Sequence, residues 1–117
     1  MTNFIYTKIL KGEHFDVWRH ARRNLIDVTD VALIAKSLLN DPAVDRRTIN
    51  LACPFSLTII ELIKIFESVL GRKANFSIID AGGSYAINSH LAAKVARKLG
   101  IDFDDKYVER ILRKYYA

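Results

Sequence analysis

Between Arg23 and Val31 the chain changes its period, and that change limits the folds open to it. Asn24 to Val28 places Ile26 and Val28 on one side of an extended run, as a half-buried strand requires. Thr29 or Asp30 then stands where a helix start wants a side-chain acceptor. Val31, Ile34, Ala35 and Leu38 follow at helical spacing. A short strand feeding an amphipathic helix within a few residues excludes both an all-helical bundle and an all-strand sandwich.

The rest of the chain repeats that grammar without repeating its residues. Asn3 to Lys11 forms a short helix closed by Gly12. His14 to Trp18 alternates, with Phe15 and Val17 on one side, and is expected to pair with Asn24–Val28 as a hairpin. Pro42 lies beyond the first amphipathic helix, and Thr48-Ile49-Asn50-Leu51-Ala52 reads as a strand stopped by Pro54. Thr58-Ile59-Ile60-Glu61 is a capping box, followed by Ile59, Leu62, Ile63, Phe66 and Leu70 on one face and by Gly71. Asn75 to Ile79 reads as a strand and Asp80-Ala81-Gly82-Gly83-Ser84 as a turn. Asn88 or Ser89 opens a helix carrying Leu91, Ala92, Val95 and Leu99, and a last helix spans Asp104 to Tyr116. The expected architecture is a small mixed α/β domain over residues 1–117, with about four short strands and four to five helices. No Pro/Gly-rich linker marks an internal boundary.

Size and charge narrow the class rather than the function. A chain of 117 residues, half of them hydrophobic, can bury one ordinary core. No apolar run approaches the roughly 18 residues of a membrane helix, and the first residues lack the order of a secretory signal. One cysteine, Cys53, cannot make an internal disulfide, which fits a reducing cytoplasm. The formal charge of +5 favours anionic ligands but selects none.

Four pieces in order carry a family resemblance. Arg23-Asn24-Leu25-Ile26-Asp27-Val28-Thr29-Asp30-Val31-Ala32 resembles the R-D-[FY]-I-H-V-x-D-V-A segment of extended short-chain dehydrogenases, the NAD-dependent epimerases and dehydratases of sugar nucleotides. Thr48 to Ala52 resembles their Y-N-[LI]-G strand, and Ser56 to Ile63 their S-[VI]-x-E-L element. Asn88 to Gly100 and Tyr107 to Tyr116 resemble their last helices. The resemblance runs from about Lys11 onward and corresponds to the C-terminal, substrate-side part of such enzymes. It implies a nucleotide-sugar ligand and, for the family, NAD(P).

The family's remaining chemistry has no counterpart in these residues. Its G-x-x-G-x-x-G loop, which receives the pyrophosphate on backbone amides, is not formed by the five glycines here. Its Y-x-x-x-K pair fails at each tyrosine tested: Tyr6 leads to Leu10, Tyr85 to Ser89 and Tyr107 to Ile111. The chain is therefore expected to be non-catalytic alone. In the family the strand matching Thr48–Ala52 joins the large nucleotide-binding sheet, so an uncovered edge is expected here. Its cover would be a Rossmann-type NAD-binding chain or a second copy of this one.

The candidate residues are few. The resemblance makes Arg23 a contact to the substrate diphosphate, a task suited to a planar guanidinium. Arg19, His20 and Arg22 extend it into a basic cluster, with Arg19 and Arg22 as further diphosphate candidates beside the alternative of a solvated turn. The family's R-x-x-D element has no counterpart after Arg72-Lys73. Asp27 and Asp30 read as strand-face and helix-start residues, not an acid/base pair. Gly82-Gly83-Ser84 reads as a turn rather than a phosphate cradle. His14, His20, His90 and Cys53 lack metal-ligand spacing, and Cys53 reads as a packed small residue. Tyr107, Tyr115 and Tyr116 among Lys106, Arg110, Arg113 and Lys114 allow a basic, non-enzymatic module for an anionic partner such as nucleic acid. Tyrosines covering a core under long basic stems are the competing account.

Overall fold

The chain's best-specified helix shows how local chemistry sets the elements. In α3 (Ile59–Leu70) the Thr58 hydroxyl accepts the Glu61 N–H at 3.1 Å, and the Glu61 carboxylate accepts the Thr58 N–H at 2.7 Å. Ile59, Leu62, Ile63 and Phe66 all turn inward, and Gly71 ends the helix at φ 64°. The computed structural model describes residues 1–117 and contains four more α-helices: α1 (Thr2–Lys11), α2 (Val28–Leu39), α4 (His90–Lys98) and α5 (Tyr107–Tyr116). Four short strands complete it: β1 (Phe15–Trp18), β2 (Arg22–Arg23), β3 (Leu57–Thr58) and β4 (Phe76–Ile79). The fold is small, mixed α/β. No helix is long and apolar enough to cross a membrane.

The chain divides into two compact units and passes between them four times. Unit 1 is Met1–Arg23, Leu57–Tyr85 and Val108–Ala117; unit 2 is Asn24–Ser56 and Ala86–Tyr107. Interleaving of this kind leaves no linker to be seen in composition.

Unit 1 holds both ladders. β1 runs parallel to β4 in the register Phe15↔Phe76 to Trp18↔Ile79, and β2 runs antiparallel to β3 through Arg22↔Thr58 and Arg23↔Leu57. Phe15 and Val17 are buried while Asp16 and Trp18 face outward. Ile5 and Ile9 of α1, the inner face of α3, and Val108 and Leu112 are buried with them. Tyr116 stacks against Phe66 and Tyr6 at ring distances of 5.3 and 4.9 Å, and its hydroxyl is hydrogen-bonded to Thr2 Oγ1. The expected hairpin between His14–Trp18 and Asn24–Val28 does not form. The intervening residues carry no tight-turn signal, and β1 finds its partner some sixty residues away.

Unit 2 is built on a helix pair. Ile34 and Leu38 of α2 pack on Ala92 and Ala96 of α4, whose small side chains permit close approach. Ile26, Ile49, Leu51, Leu91, Val95 and Phe103 seal that core. Two further expectations are corrected here. Asn24–Val28 is not a strand, and the helix cap is Asp27, whose Oδ1 accepts the Thr29 N–H at 2.9 Å. Thr48–Ala52 forms no ladder either. Its burial still alternates as a strand's does, with Thr48 and Asn50 exposed and Ile49 and Leu51 half-buried. Yet no backbone group from Thr48 to Ala52 bonds another backbone group. Asn24 substitutes for a strand at its end: Nδ2 donates to the Cys53 and Phe55 carbonyls, and Oδ1 accepts the Cys53 N–H at 2.9 Å. The last helix begins at Tyr107 rather than Asp104, because Asp104 turns back to accept the Lys106 N–H at 3.0 Å.

Candidate functional site

Three elements of unit 1 converge on a cleft of about 420 Å³. β1 supplies Phe15, Asp16, Val17 and Trp18, α1 supplies Phe4 and Ile5 with Met1 just before it, and β2 supplies Arg23. The position of each follows from local structure. The alternation of β1 buries Phe15 and Val17 as the floor and leaves Trp18 at the rim, 55% exposed. Phe4 meets Phe15 edge-on at 5.8 Å, which holds the N-terminal turn of α1 over the strand. Arg23 closes β2 with its backbone paired to Leu57.

Arg23 is the cleft's cation. Its Nη1 donates to the Arg22 carbonyl at 2.7 Å, a bond that fixes the guanidinium plane while sparing most of its five donors. Asp16 is the lining acid, and its Oδ1 lies 3.6 Å from His14 Nε2. An exposed indole, a phenyl ring and a guanidinium around an apolar floor suit a flat ring joined to an anion. Arg19 and Arg22 do not line this cleft. Arg22 is half-buried in the β2–β3 ladder and adds to the pull that holds the Glu61 carboxyl below its ordinary value. The first cause of that depression is the Thr58 amide. Arg19 ends the β1–β4 pairing, its N–H donating to the Ile79 carbonyl at 2.9 Å.

The other sequence candidates are dispersed. Asp27 and Asp30 of unit 2 both meet Tyr107: the Asp27 N–H donates to its hydroxyl at 3.0 Å, and the hydroxyl donates to Asp30 Oδ2 at 2.6 Å. Burial, then the bond to Asp30, pushes the Tyr107 phenol above its ordinary value. His20 pairs with Asp80 at 2.6 Å, His14 sits with Asn75 and Ser77, and His90 begins α4. No group of three or more His, Cys, Asp or Glu side chains is placed to hold a metal. Cys53 is buried, and burial raises its thiol pKa. Tyr107 and Tyr116 are committed to packing, and Arg113 is paired with Glu109 at 2.8 Å.

Gly82, at φ 90°, is required by packing: a Cβ there would lie 2.9 Å from the Ala21 nitrogen. Gly12 and Gly71 close helices, and Gly100 follows α4. These residues do not fit a dinucleotide, which needs glycines at a strand-to-helix turn with free helix amides.

Unit 2 has a larger concavity, about 720 Å³, between α2 and the unpaired segment, bordered by Leu38, Leu39, Ile49 and Leu51. Asp41, Asp45, Arg46 and Arg47 also line it. Sequence reasoning singled out Arg23 and not Trp18, Phe4 and Asp16, which line the same cleft. The alternation of β1 signalled which residues face out, but not that Phe4 of α1 packs on Phe15 beside them.

The fold is similar to part of a solved epimerase structure. The chain is similar, with a TM-score of 0.64 and 25% identity, to UDP-glucose-4-epimerase from Stenotrophomonas maltophila, solved with bound NAD and formylated UDP-arabinopyranose. The likeness covers 97% of this chain and 38% of that one. No protein-family model matches the sequence, and no curated protein matches it.

Proposed function

We propose that this chain is the substrate-side part of an NAD-dependent epimerase or dehydratase of nucleotide sugars, unable to carry out that NAD-dependent reaction by itself. Its partner would be a Rossmann-type chain that brings NAD and the proton-transferring residues. The observation that carries this reading is the similarity to an epimerase over nearly the whole chain, joined to an arginine at the rim of an aromatic cleft. In this reading Arg23 holds the diphosphate, Trp18 and Phe4 cover the base, and Asp16 keeps the anion toward Arg23 by repulsion. Arg19 and Arg22 are left to the turn and the ladder. The Thr48–Ala52 edge and the adjoining groove of unit 2 suit the missing sheet, because extended backbone without hydrogen-bond partners is a template for a further strand.

The test is titration of the chain with UDP, followed by calorimetry or by nuclear magnetic resonance at the Trp18 indole. Binding that perturbs Trp18 and weakens about tenfold or more in Arg23→Ala is expected, the size of a lost charge-assisted hydrogen bond. Unchanged binding in Arg23→Ala, or none to the wild-type chain, removes Arg23 from the role. Mixing with an epimerase Rossmann half and assaying UDP-sugars then tests the enzyme itself.

A further inference from the structure

The open face of the β1–β4 sheet carries His14, Asn75 and Ser77, which the cleft does not use, beside Asp16 and Trp18, which it shares. His14 and Asn75 precede the two strands side by side, Asp16 lies opposite Ser77, and Trp18 lies opposite Ile79. His14 Nδ1 is 3.1 Å from Asn75 Oδ1, and His14 Nε2 is 3.1 Å from Ser77 Oγ. An amide oxygen only accepts, so the proton belongs on Nδ1. The Nε2 lone pair then faces the Ser77 hydroxyl. A nucleophile touching a base, and a base held in one tautomer by a third group, is the logic of serine acyl transfer.

Two neighbouring features complete a reactive site. Trp18 and Ile79, 55% and 41% exposed, form an apolar shelf beside Ser77 where an aryl or acyl group can rest. β4 has β1 as its sole partner, and the Asn75 and Ile79 carbonyls point toward β1, accepting from Phe15 and Arg19. By alternation the Ile78 N–H points to the free edge, next to the nucleophile, where it can donate to an oxyanion. The Asp16 carboxylate lies 3.6 Å from the same Nε2.

We propose that Ser77, His14 and Asn75 form an acyl-transfer site for activated esters of flat, apolar groups. Ser77 Oγ adds to the ester carbonyl while its proton passes to His14 Nε2. The bond to the leaving alcohol breaks and the alcohol takes that proton. Water, deprotonated by the same imidazole, then releases the acid and restores Ser77.

The experiment is labelling of the full chain with an aryl fluorophosphonate, followed by peptide mapping. In that reaction Oγ–P forms, P–F breaks and fluoride leaves. One adduct per chain at Ser77 is expected, absent from Ser77→Ala and slowed about 100-fold in His14→Gln, the low end of general-base effects. Asn75→Asp should label at least as fast as wild type, because a carboxylate also fixes the proton on Nδ1, whereas Asn75→Ala should slow. Release of nitrophenolate from p-nitrophenyl acetate should follow the same order. An unlabelled Ser77 in the wild-type chain, adducts spread over several serines, or a His14→Gln rate equal to wild type would overturn the proposal. The wild-type map decides it even where a variant misfolds.

Discussion

In unit 1 the alternating run Phe15–Trp18 is matched residue for residue by β4, whereas in unit 2 the alternating run Thr48–Ala52 is matched by nothing. Both runs alternate in burial, the second more weakly and only as far as Leu51, since Ala52 is buried. Alternation therefore reports which side chains a local core takes in, and it says nothing of whether the backbone is paired. Unit 1 draws its order from ladders and a large helix face. Unit 2 draws it from two helices and from side-chain clamps, Asn24 on the Cys53 segment and Tyr107 on the start of α2.

That contrast can be broken most forcefully at the cores. Phe66 is fully buried in unit 1 and meets Tyr116 edge-on. Phe66→Ala should cost about 3–5 kcal/mol by urea denaturation, enough to unfold a marginal domain. Ile34→Ala, equally buried in unit 2 but smaller, should cost about 2–4 kcal/mol. A larger loss at Ile34 would make the helix pair, not the ladder-bearing unit, the tighter core.

Next in size is the Tyr107 clamp. Tyr107→Phe removes the donor to Asp30 and strands the Asp27 N–H, a buried group, at a cost of about 1–3 kcal/mol. It also has a pH signature. The phenol is raised in the folded chain, first by burial and then by its bond to Asp30. Its stabilising contribution is thus whole below the unfolded value of roughly 10 and declines as pH climbs above it. Wild type should lose stability above that pH more steeply than Tyr107→Phe. Parallel curves would mean that the hydroxyl is no clamp.

What the sequence made legible follows the same division. The capping box at Thr58, the glycine stops at Gly12 and Gly71, and the inward faces of α2 and α3 are local chemistry, readable from adjacent residues. The partner of β1 is not, because its register with β4 is fixed by α3 and the turn between them. Asp27 read as a strand residue because Ile26 and Val28 flank it in alternation; only the shortness of β2, paired to two residues of β3, hands the next four to the helix start. At the candidate site, Arg23 was legible through a motif and Trp18 was not, since a rim is made by α1 folding back. His14 and Ser77 stand 63 positions apart, so no spacing rule could join them.

The mildest measurement bears most directly on the unpaired segment. Amide hydrogen exchange opens without perturbing the chain and reads each backbone group in turn. Phe15 and Arg19, bonded to the Asn75 and Ile79 carbonyls at 3.2 and 2.9 Å, should exchange slowly. Ile49, Asn50, Leu51 and Ala52 should exchange at nearly unprotected rates despite the half-burial of Ile49 and Leu51, because burial of a side chain does not close a backbone hydrogen bond. Cys53, whose N–H the Asn24 amide accepts, should lie between, and Asn24→Ala should bring it down to its neighbours. Protection spread across Ile49 to Ala52 in the chain alone would mean that a second copy already supplies a strand there, and it would fall with dilution. Protection gained only on adding an epimerase Rossmann half would place the missing sheet on this edge.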